Sequence, residues 1–248
     1  MIIGQYKNTI MNIALIGYGK MGKEIEKIGI SRGHTITCVV TTDNAKTYSL
    51  KDLQKADVAI EFSTPESATT NIYNCFNANI PVVVGTTGWL NQLEEIKKKC
   101  TEQNQTLFYA SNYSIGVNLF FKLNEYLAKL MNSHCEYNVS LEEIHHVHKL
   151  DAPSGTAISL ANQILEHTTS KKQWVNHETT TNDELTIVSK RIDEVPGTHT
   201  ITYKSEVDQL SITHIAHSRK GFALGAVIAA EWIKNKKGVF GMNDLMNN

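Results

Sequence analysis

Residues 12–22 read NIALIGYGKMG, a short apolar run that leads directly into the pattern Gly-x-Gly-x-x-Gly. The run predicts a β-strand, and the residues after the glycines predict a helix. In such a unit Gly17 permits a tight turn, Gly19 lets a pyrophosphate approach the backbone, and Gly22 allows the helix to pack closely on the strand. The amides at the N-terminus of the helix then face the anion. This stretch therefore predicts a dinucleotide site at the start of a βαβ unit.

Four more apolar runs continue the alternation of strands and helices to about residue 110. They predict strands over Thr35–Val40, Asp57–Phe62, Pro81–Val84 and Thr106–Tyr109. Between them, residues 65–78 and 89–103 have helical composition. Short apolar strands that alternate with helices are typical of a parallel sheet with helices on both faces. We therefore predict a Rossmann-like, doubly wound α/β domain.

The pattern changes after residue 113. Helices are predicted over Ile115–Met131, Ala157–Leu165 and Phe222–Ile233, and strands over Glu136–Ile144, Leu185–Arg191, Thr198–Glu206 and Gln209–Ile215. The last three strands read as a meander, because turn residues lie between them at 196–197 and 207–208. These elements predict an α+β block with a mostly antiparallel sheet.

The composition excludes several classes of protein. The 248 residues are 41% hydrophobic and 20% charged, which is usual for a globular chain. Lys and Arg total 24 and Asp and Glu total 25, so the net charge of −1 gives no basic surface for nucleic acid. No apolar run reaches the ~18 residues of a membrane span.

The cysteines and the N-terminus bear on the compartment. Cys38, Cys75, Cys100 and Cys135 are widely spaced and form no CxxC pair. Residues 1–10 lack the features of a secretory signal and are interpreted as a short extension. Both observations indicate reduced thiols and a cytoplasmic protein.

The end of the second predicted strand bears on the adenosine half of a dinucleotide. An acidic residue that binds the adenosine ribose is expected there, about 20 residues beyond the glycine turn. The strand ends Val40-Thr41-Thr42-Asp43, so Asp43 falls slightly late and is equally well interpreted as a turn residue. Lys46 could accept a 2′-phosphate. The sequence therefore leaves the choice between NAD and NADP open.

Three loops follow predicted strands of the parallel sheet. Ligands bind at the carboxyl ends of such strands, where small and hydroxyl residues let a flat ring approach the backbone. The loop 61–65 (Glu-Phe-Ser-Thr-Pro) is one of them. The predicted coenzyme-binding residues in the other two loops and in the glycine turn are Gly17, Tyr18, Gly19, Lys20, Met21, Gly22, Asp43, Gly85, Thr86, Thr87, Ala110, Ser111, Asn112 and Tyr113.

The stretch 142–157, EEIHHVHKLDAPSGTA, is the richest in reactive side chains. A helix that begins at Pro153 would present free amides around Gly155 and Thr156 to a carboxylate. Lys149 would add a positive charge for the same anion, and a neighbouring histidine could deliver a proton at neutral pH. Two alternatives are a solvated basic loop and a metal site at the pair formed by His146 and His148.

Residues 145–157 resemble the signature of the 4-hydroxy-tetrahydrodipicolinate reductase (dihydrodipicolinate reductase) family, enzymes of bacterial lysine and diaminopimelate synthesis. The resemblance extends over residues 11–235. It is also carried by GYGKMG (17–22), FSTP (62–65), GTTG (85–88), SNYSIGV (111–117), PGTH (196–199) and HSRKGFALGA (217–226). Many members have GxxGxxG where this chain has GxGxxG.

The resemblance implies a reaction and a role for each residue. A hydride from NADH or NADPH would reduce the unsaturated ring of a small dicarboxylate heterocycle. His145 would be the catalytic acid/base, and Lys149 would be a proton donor that also steadies the acquired charge. His146, Gly155 and Thr156 would bind the ring carboxylates, and no metal would be required.

The resemblance also implies an arrangement of domains. A dinucleotide-binding domain over residues 1–113 would be completed by the C-terminal helix at 218–248. A substrate-binding and oligomerisation domain would span 114–217, and its sheets would build a homotetramer. Two other hypotheses remain open at this point. One is a different oxidoreductase with the same glycine turn, and the other is a non-catalytic dinucleotide sensor.

Overall fold

The computed structural model describes residues 10–45, 47–218 and 220–247. Residues 1–9 and Lys46 lie outside the described residues, and with them the expectations of a short extension and of a 2′-phosphate contact. The chain forms two compact units. The first contains the described residues up to Ile115 and those from Lys220 onward, and the second contains the described residues between them. In the described ranges, no helix combines the length and the hydropathy needed to cross a membrane.

The first unit is built on a six-stranded sheet. Its strands are β1 (Asn12–Ile16), β2 (Thr35–Val40), β3 (Val58–Glu61), β4 (Val82–Val84), β5 (Thr106–Tyr109) and β11 (Gly238–Phe240). Its helices are α1 (Lys20–Ser31), α2 (Leu50–Leu53), α3 (Pro65–Asn77), α4 (Leu93–Glu102, preceded by a 3-10 turn over Leu90–Gln92), α7 (Lys220–Ile233) and α8 (Met242–Met246). The strand order is β11-β5-β4-β3-β1-β2, and every pair is parallel.

Alternate residues of these strands face two separate cores. On one face, Ile13 and Leu15 pack with side chains of α1, α7 and α8. On the other face, Ala14 and Ile16 pack with side chains of α2, α3 and α4. A strand buried on both faces reads as a continuous apolar run, which is how β1 reads in the sequence. The expectation of a doubly wound α/β unit is confirmed.

A partly buried ion pair joins helix α7 to the end of α1 and to the residues that precede β2. The Arg32 guanidinium donates to both carboxylate oxygens of Glu231 at 2.7 and 2.8 Å, and His34 Nε2 lies 2.8 Å from the same carboxylate. Two-point pairing of this kind fixes both distance and orientation. The elements that follow, β11 and α8, are too short to leave a periodic signal and were not predicted.

The second unit is built on a five-stranded sheet with two helices. Its helices are α5 (Ile115–Met131) and α6 (Gly155–His167), and its strands are β6 (Asn138–His145), β7 (Gln173–Val175), β8 (Glu184–Arg191), β9 (Gly197–Lys204) and β10 (Gln209–Ala216). The strand order is β10-β9-β6-β8-β7. The ladders of β9 with β10 and with β6 are antiparallel, and they are longer than the two parallel ladders that β8 makes with β6 and β7.

The predicted meander is wrong in its pairing. β6 lies between β8 and β9, so the turn at 196–197 does not join neighbouring strands. The three strands themselves were predicted correctly, but alternation along a strand carries no information about its partner. Helix α6 also begins at Gly155, two residues after Pro153, because Ser154 is the N-cap and its hydroxyl accepts from the Ala157 amide.

Gly225 tests the packing of α7 inside the first unit. A Cβ atom added at this position would lie 1.8 Å from the carbonyl oxygen of Tyr113, a backbone atom that cannot rotate away. We expect Gly225→Ala to lower the free energy of unfolding by about 2 kcal/mol or more. Urea denaturation measures this change.

Gly221→Ala is the matched control on the same helix. Its added Cβ would meet only the Ser114 hydroxyl at 3.7 Å, an ordinary contact. We expect no loss of stability for this variant, because alanine is the better helix former. Equal stability losses for the two variants would contradict the close approach at Gly225.

Candidate active site

Three glycines shape the turn between β1 and α1 in different ways. Gly17 has a φ of +90°, and a Cβ there would lie 2.1 Å from the Phe62 carbonyl oxygen. A Cβ at Gly22 would lie 2.3 Å from the Gly17 carbonyl oxygen. An added Cβ at Gly19 would meet nothing within 4 Å. Gly17 and Gly22 are therefore required by the fold. A side chain at Gly19 would instead project into open space.

That open space belongs to two neighbouring cavities at the carboxyl ends of the strands. The larger cavity, of about 560 Å³, is lined by Ile16, Gly17, Tyr18, Gly19, Val40, Thr41, Thr42, Ala45, Phe62, Ser63, Thr64, Ser67 and Asn71. The smaller cavity, of about 390 Å³, is lined by Gly19, Lys20, Met21, Phe62, Ser63, Pro65, Gly85, Thr86 and Thr87. The two share Gly19, Phe62 and Ser63.

These cavities fit an extended dinucleotide. Helix α1 begins at Lys20, and neither a side-chain cap nor an acidic residue occupies its first turn. The free amides of that turn suit a pyrophosphate. A bulky group at Gly19 would fill the space between the two cavities, where a pyrophosphate would join the two halves of the coenzyme.

The structure brings most of the predicted coenzyme residues together. Those from Gly17 to Met21 and from Gly85 to Thr87 line one or both cavities, and Gly22 lies beneath the turn. Asp43 is exposed and lines neither cavity, and its amide donates to Thr41 Oγ1 at 3.2 Å.

The residues Ala110, Ser111, Asn112 and Tyr113 also line neither cavity. Tyr113 is buried in the core, where its hydroxyl donates to the Val84 carbonyl at 2.7 Å. Its ring packs against Phe62 and Phe108. In this structure Tyr113 is therefore a core residue that packs against the sheet.

Sequence analysis missed several residues of the larger cavity. Thr41, Thr42 and Ala45 come from the loop after β2, and Ser67 and Asn71 come from the first turns of α3. The signal for the last two was present, because Thr64-Pro65 marks a helix start and residues 67 and 71 share one helix face.

A buried carboxyl group, Glu61, connects the loops that line both cavities. It ends β3 and has no exposed surface. Its Oε1 accepts from the Ser63 amide at 3.1 Å, from the Ser63 hydroxyl and from Asn71 Nδ2 at 3.3 Å. The Ser63 amide also reaches Thr86 Oγ1 at 2.8 Å. Burial raises the pKa of Glu61 against the opposing effect of these donors. Glu61 thus holds the loops after β3 and β4 in one arrangement.

In the second unit, polar side chains continue the inward face of β6. Val139 and Leu141 lie in the core, and the next two inward residues are Glu143 and His145. Successive side chains of a strand alternate between faces, so these four lie in one row. His145 Nδ1 is 3.3 Å from Glu143 Oε2.

The Glu143 carboxylate is completely buried and is surrounded by donors. The Ser154 amide donates to its two oxygens at 3.0 and 3.2 Å, and the Ser189 hydroxyl donates to Oε1 at 2.8 Å. Burial alone would raise the pKa of Glu143, but the contacts from His145, Ser154 and Ser189 outweigh it and hold the pKa below its usual range. Glu143 therefore stays ionised at neutral pH.

His199 completes this cluster from β9. It lies opposite Glu143 in the ladder of β6 and β9, with Nε2 3.7 Å from Glu143 Oε2 and 3.2 Å from Ser154 Oγ. Burial, helped by the charge of His145, lowers the pKa of His199 to about 4, so the ring is neutral at pH 7. His199 belongs to the motif PGTH, and the pairing of β9 with β6 is what brings it to Glu143.

Lys149 lies on the loop that follows β6. Its ammonium group donates to both oxygens of the exposed Asp151 carboxylate at 2.7 and 2.8 Å. Arg191, which was not predicted as a site residue, donates to the carbonyl oxygens of Lys149 at 3.3 Å and Asp151 at 2.6 Å. The end of β8 thus fixes the backbone of the loop and leaves the Lys149 side chain in contact with an exposed anion.

The N-terminus of α6 lies next in the chain. Ser154 caps it, its first turn contains no acidic residue, and a Cβ added at Gly155 would meet nothing within 4 Å. Gly155 and Thr156 thus present backbone in the first turn of the helix, where a carboxylate is stabilised. Among the described residues, His146 and His148 belong to no group of three or more possible metal ligands. His148 is exposed, and its Nε2 lies 3.1 Å from Glu194 Oε1.

Family models and relatives agree with these features. A model described as "Dihydrodipicolinate reductase, N-terminus" matches residues 11–113, and one described as "Dihydrodipicolinate reductase, C-terminus" matches residues 116–246. A 4-hydroxy-tetrahydrodipicolinate reductase from Christiangramia forsetii is 50% identical, covering 96% of this chain and 98% of the relative. One from Staphylococcus saprophyticus subsp. saprophyticus is 34% identical, covering 95% and 100%.

A solved structure shows the same fold. It is a dipicolinate-bound dihydrodipicolinate reductase from Paenisporosarcina sp. TG-14, with a TM-score of 0.73 at 24% identity, covering 95% of this chain and 99% of that chain. The doubly wound sheet and its glycine turn are typical of dinucleotide-binding proteins, and the family match makes the chain an NAD(P)H-dependent oxidoreductase. More narrowly, the chain belongs to the dihydrodipicolinate reductase family, enzymes of lysine and diaminopimelate biosynthesis.

The open space at Gly19 allows binding and folding to be separated. We expect Gly19→Val to fold, because its side chain enters empty space, and to bind NADH and NADPH at least about 10-fold more weakly, because the isopropyl group blocks the pyrophosphate. Fluorescence titration of the coenzyme measures the affinity. Gly22→Ala is the contrasting variant, since its Cβ clashes with backbone and should lower thermal stability. Unchanged coenzyme affinity in Gly19→Val would place the site elsewhere.

The hydrogen-bond acceptor of Glu61 is expected to matter more than its charge. Glu61→Ala removes the acceptor that holds Ser63 and Asn71, and we expect the KM for coenzyme to rise about 10-fold, the equivalent of one to two hydrogen bonds. Glu61→Gln retains an acceptor oxygen and should recover most of this loss. Steady-state kinetics measure both.

Thr69→Val on the same helix is the matched control, because Thr69 Oγ1 has no hydrogen-bond partner among the described residues. It should leave the coenzyme KM unchanged. A Gln variant as impaired as the Ala variant would contradict the acceptor role.

Proposed function

We propose that the reduction of 4-hydroxy-tetrahydrodipicolinate to tetrahydrodipicolinate is divided between the two units of the chain. The first unit holds NADH or NADPH, and the second, corresponding to residues 114–217, holds the substrate. The observation that carries this proposal is the cluster at the end of β6. A buried, ionised Glu143 faces His145, and the loop that follows carries a lysine and leads to a helix N-terminus suited to carboxylates.

In the first unit, we assign the pyrophosphate to the amides of Lys20, Met21 and Gly22 and to the turn at Gly17–Gly19. The smaller cavity, with Gly85, Thr86 and Thr87, suits the nicotinamide ring. The larger cavity suits the adenosine half, and Thr41 and Thr42 line it, whereas Asp43 does not. We therefore assign the ribose contact to the two threonines. When bound, the coenzyme supplies the hydride.

His145 is proposed as the catalytic acid. Reduction of the ring leaves negative charge that a proton must meet, and a histidine can give up and regain a proton near neutral pH. Glu143 Oε2 lies 3.3 Å from Nδ1, so the carboxylate faces that side of the ring and leaves Nε2 for the substrate. His199 is neutral at this pH and adds no competing positive charge.

The two carboxylates of the substrate are assigned to the loop and the helix. Asp151 pairs with Lys149 in this structure, and a substrate carboxylate is the same chemical group. When substrate binds, its carboxylate would replace that of Asp151, so that Lys149 is paired with an anion both before and after binding. The N-terminus of α6, with Gly155 and Thr156, suits the second carboxylate. His146 stays assigned to the same group, and its ring Nδ1 is buried without a hydrogen-bond partner among the described residues.

Assembly and compartment complete the proposal. β10 is an eight-residue strand at the edge of its sheet, with exposed Leu210 and Ile215. An exposed edge of this length invites pairing with another chain, which supports a homotetramer built through the sheets of the second unit. All four cysteines are free, which supports the cytoplasm as the compartment.

His145→Gln tests the proposed acid. We expect turnover to fall by about 10²–10⁴-fold, the usual worth of a general acid, with the coenzyme affinity unchanged because the first unit binds the coenzyme. The decrease in absorbance of the reduced coenzyme with freshly prepared substrate measures turnover. His148→Gln is the matched control, because that ring is exposed and pairs with exposed Glu194, and it should keep full activity.

Lys149→Ala should behave differently from His145→Gln. It removes a charge that is used both in binding and in the transition state, so kcat should fall and the KM for substrate should rise together. Near-full turnover in His145→Gln would transfer the acid role to His146. A rise in coenzyme KM alone would contradict the division of labour between the units.

A further inference from the structure

Three buried side chains of the second unit form a group with the geometry of a metal site. Glu143, His145 and His199 each offer one ligand atom, and these atoms lie within 4.8 Å of one another. Glu143 Oε2 is 3.3 Å from His145 Nδ1 and 3.7 Å from His199 Nε2. The two imidazole rings stand nearly perpendicular, with centroids 5.1 Å apart.

These separations suit a small tetrahedral cation. Zinc binds imidazole nitrogen at about 2.0–2.1 Å and carboxylate oxygen at about 2.0–2.2 Å, so its ligand atoms lie roughly 3.3–3.5 Å apart. The β6–β9 ladder fixes Glu143 opposite His199, so little movement of the backbone is needed. Two histidines and one carboxylate are a ligand set that zinc uses, with a fourth position left open.

A second observation points to the same place. His145 Nδ1 is buried and has no hydrogen bond of acceptable geometry among the described residues, although it faces the Glu143 carboxylate. A buried nitrogen of this kind is normally satisfied. We propose that Zn²⁺ binds to Glu143, His145 and His199, and that it acts there as a reversible inhibitor of the reductase.

The surroundings explain why such a site would be inhibitory and not structural. Arg191 Nη2 lies 3.6 Å from Glu143 Oε1, and the amide of Ser154 and the hydroxyl of Ser189 already donate to the same carboxylate. The guanidinium repels an entering cation, and the donors use part of the carboxylate's capacity. Zinc should therefore bind more weakly than at a closed structural site, and it should leave when a chelator is added.

Binding at this site would stop the proposed chemistry. A histidine coordinated through Nδ1 can no longer carry the second proton that makes it an acid. This step rests on the proposed function of His145, whereas the binding of zinc does not. The two halves of the inference can therefore be measured separately.

Calorimetric titration of the full chain with zinc chloride, in a buffer that does not bind metals, measures binding without turnover. We expect one zinc ion per chain. His199→Gln should weaken binding at least about 10-fold, because it removes one ligand. Co²⁺ offers a second measurement, because tetrahedral coordination gives it intense visible bands that His199→Gln should abolish. A thermal melt shows whether the variant is folded, and Glu143→Gln is the second variant to use if it is not.

Two controls address exposed side chains that could bind zinc outside the proposed site. His148→Gln removes the exposed histidine that pairs with Glu194, and Cys135→Ser removes the exposed thiol. Both should bind zinc like the parent. Absence of binding by the parent, or equal binding by His199→Gln and the parent, would overturn the site.

Kinetics test the inhibitory half. Zinc should lower kcat at concentrations that fill the site, EDTA should restore the full rate, and the KM for coenzyme should not change. Zinc that binds at the three residues without lowering kcat would overturn the inhibition and would also count against His145 as the acid. Inhibition that persists in His199→Gln would place the responsible zinc elsewhere and would overturn the inference.

Discussion

The carboxylate of Glu143 is completely buried, and a buried charge is tolerated only when it is surrounded by hydrogen-bond donors and opposite charge. That requirement organises the second unit. It holds the start of α6 through the Ser154 amide and β8 through the Ser189 hydroxyl, and its Oε2 lies 3.3 Å from His145 Nδ1. The same residue therefore holds the helix N-terminus that is proposed to bind a carboxylate, and it faces the proposed acid.

The first unit contains two further buried carboxyl groups, and each is stabilised in a different way. Glu231 is buried where α7 packs against the sheet, and Arg32 pairs with both of its oxygens. Glu61 is buried at the end of β3 without an ion pair to any described residue, and its donors are the amide and hydroxyl of Ser63 and the side-chain amide of Asn71. The ion pair of Arg32 and Glu231 holds α7 in place within the first unit. Glu61 is held by donors from the loop after β3 and from α3, and because the Ser63 amide also donates to Thr86, the conformations of the loops after β3 and β4 depend on each other.

Local patterns allowed most of the elements to be predicted. The strands of the first unit are buried on both faces and read as apolar runs, and Gly17 and Gly22 are demanded by clashes with backbone atoms. Residues 145–156 could be predicted as part of a functional site because three histidines and a lysine at the end of a strand pack poorly in a core. Partners that come from distant strands were not predictable. His199 and Arg191 reach the site only because β9 and β8 both pair with β6, and alternation gives no information about that pairing.

The sequence of β6 nevertheless contains a signal for the site. Along its inward face the residues run Val139, Leu141, Glu143, His145, so the row passes from core to polar within one strand. Polar side chains at inward positions cost free energy unless they are satisfied, and a chain keeps them where neighbours satisfy them and where they are used. The position at which the inward residues of an alternating strand change from apolar to polar is therefore a candidate for a functional site. In this chain that position lies beside the N-terminus of α6, where the Ser154 amide donates to the Glu143 carboxylate. The apolar side chains of the core offer no such donor.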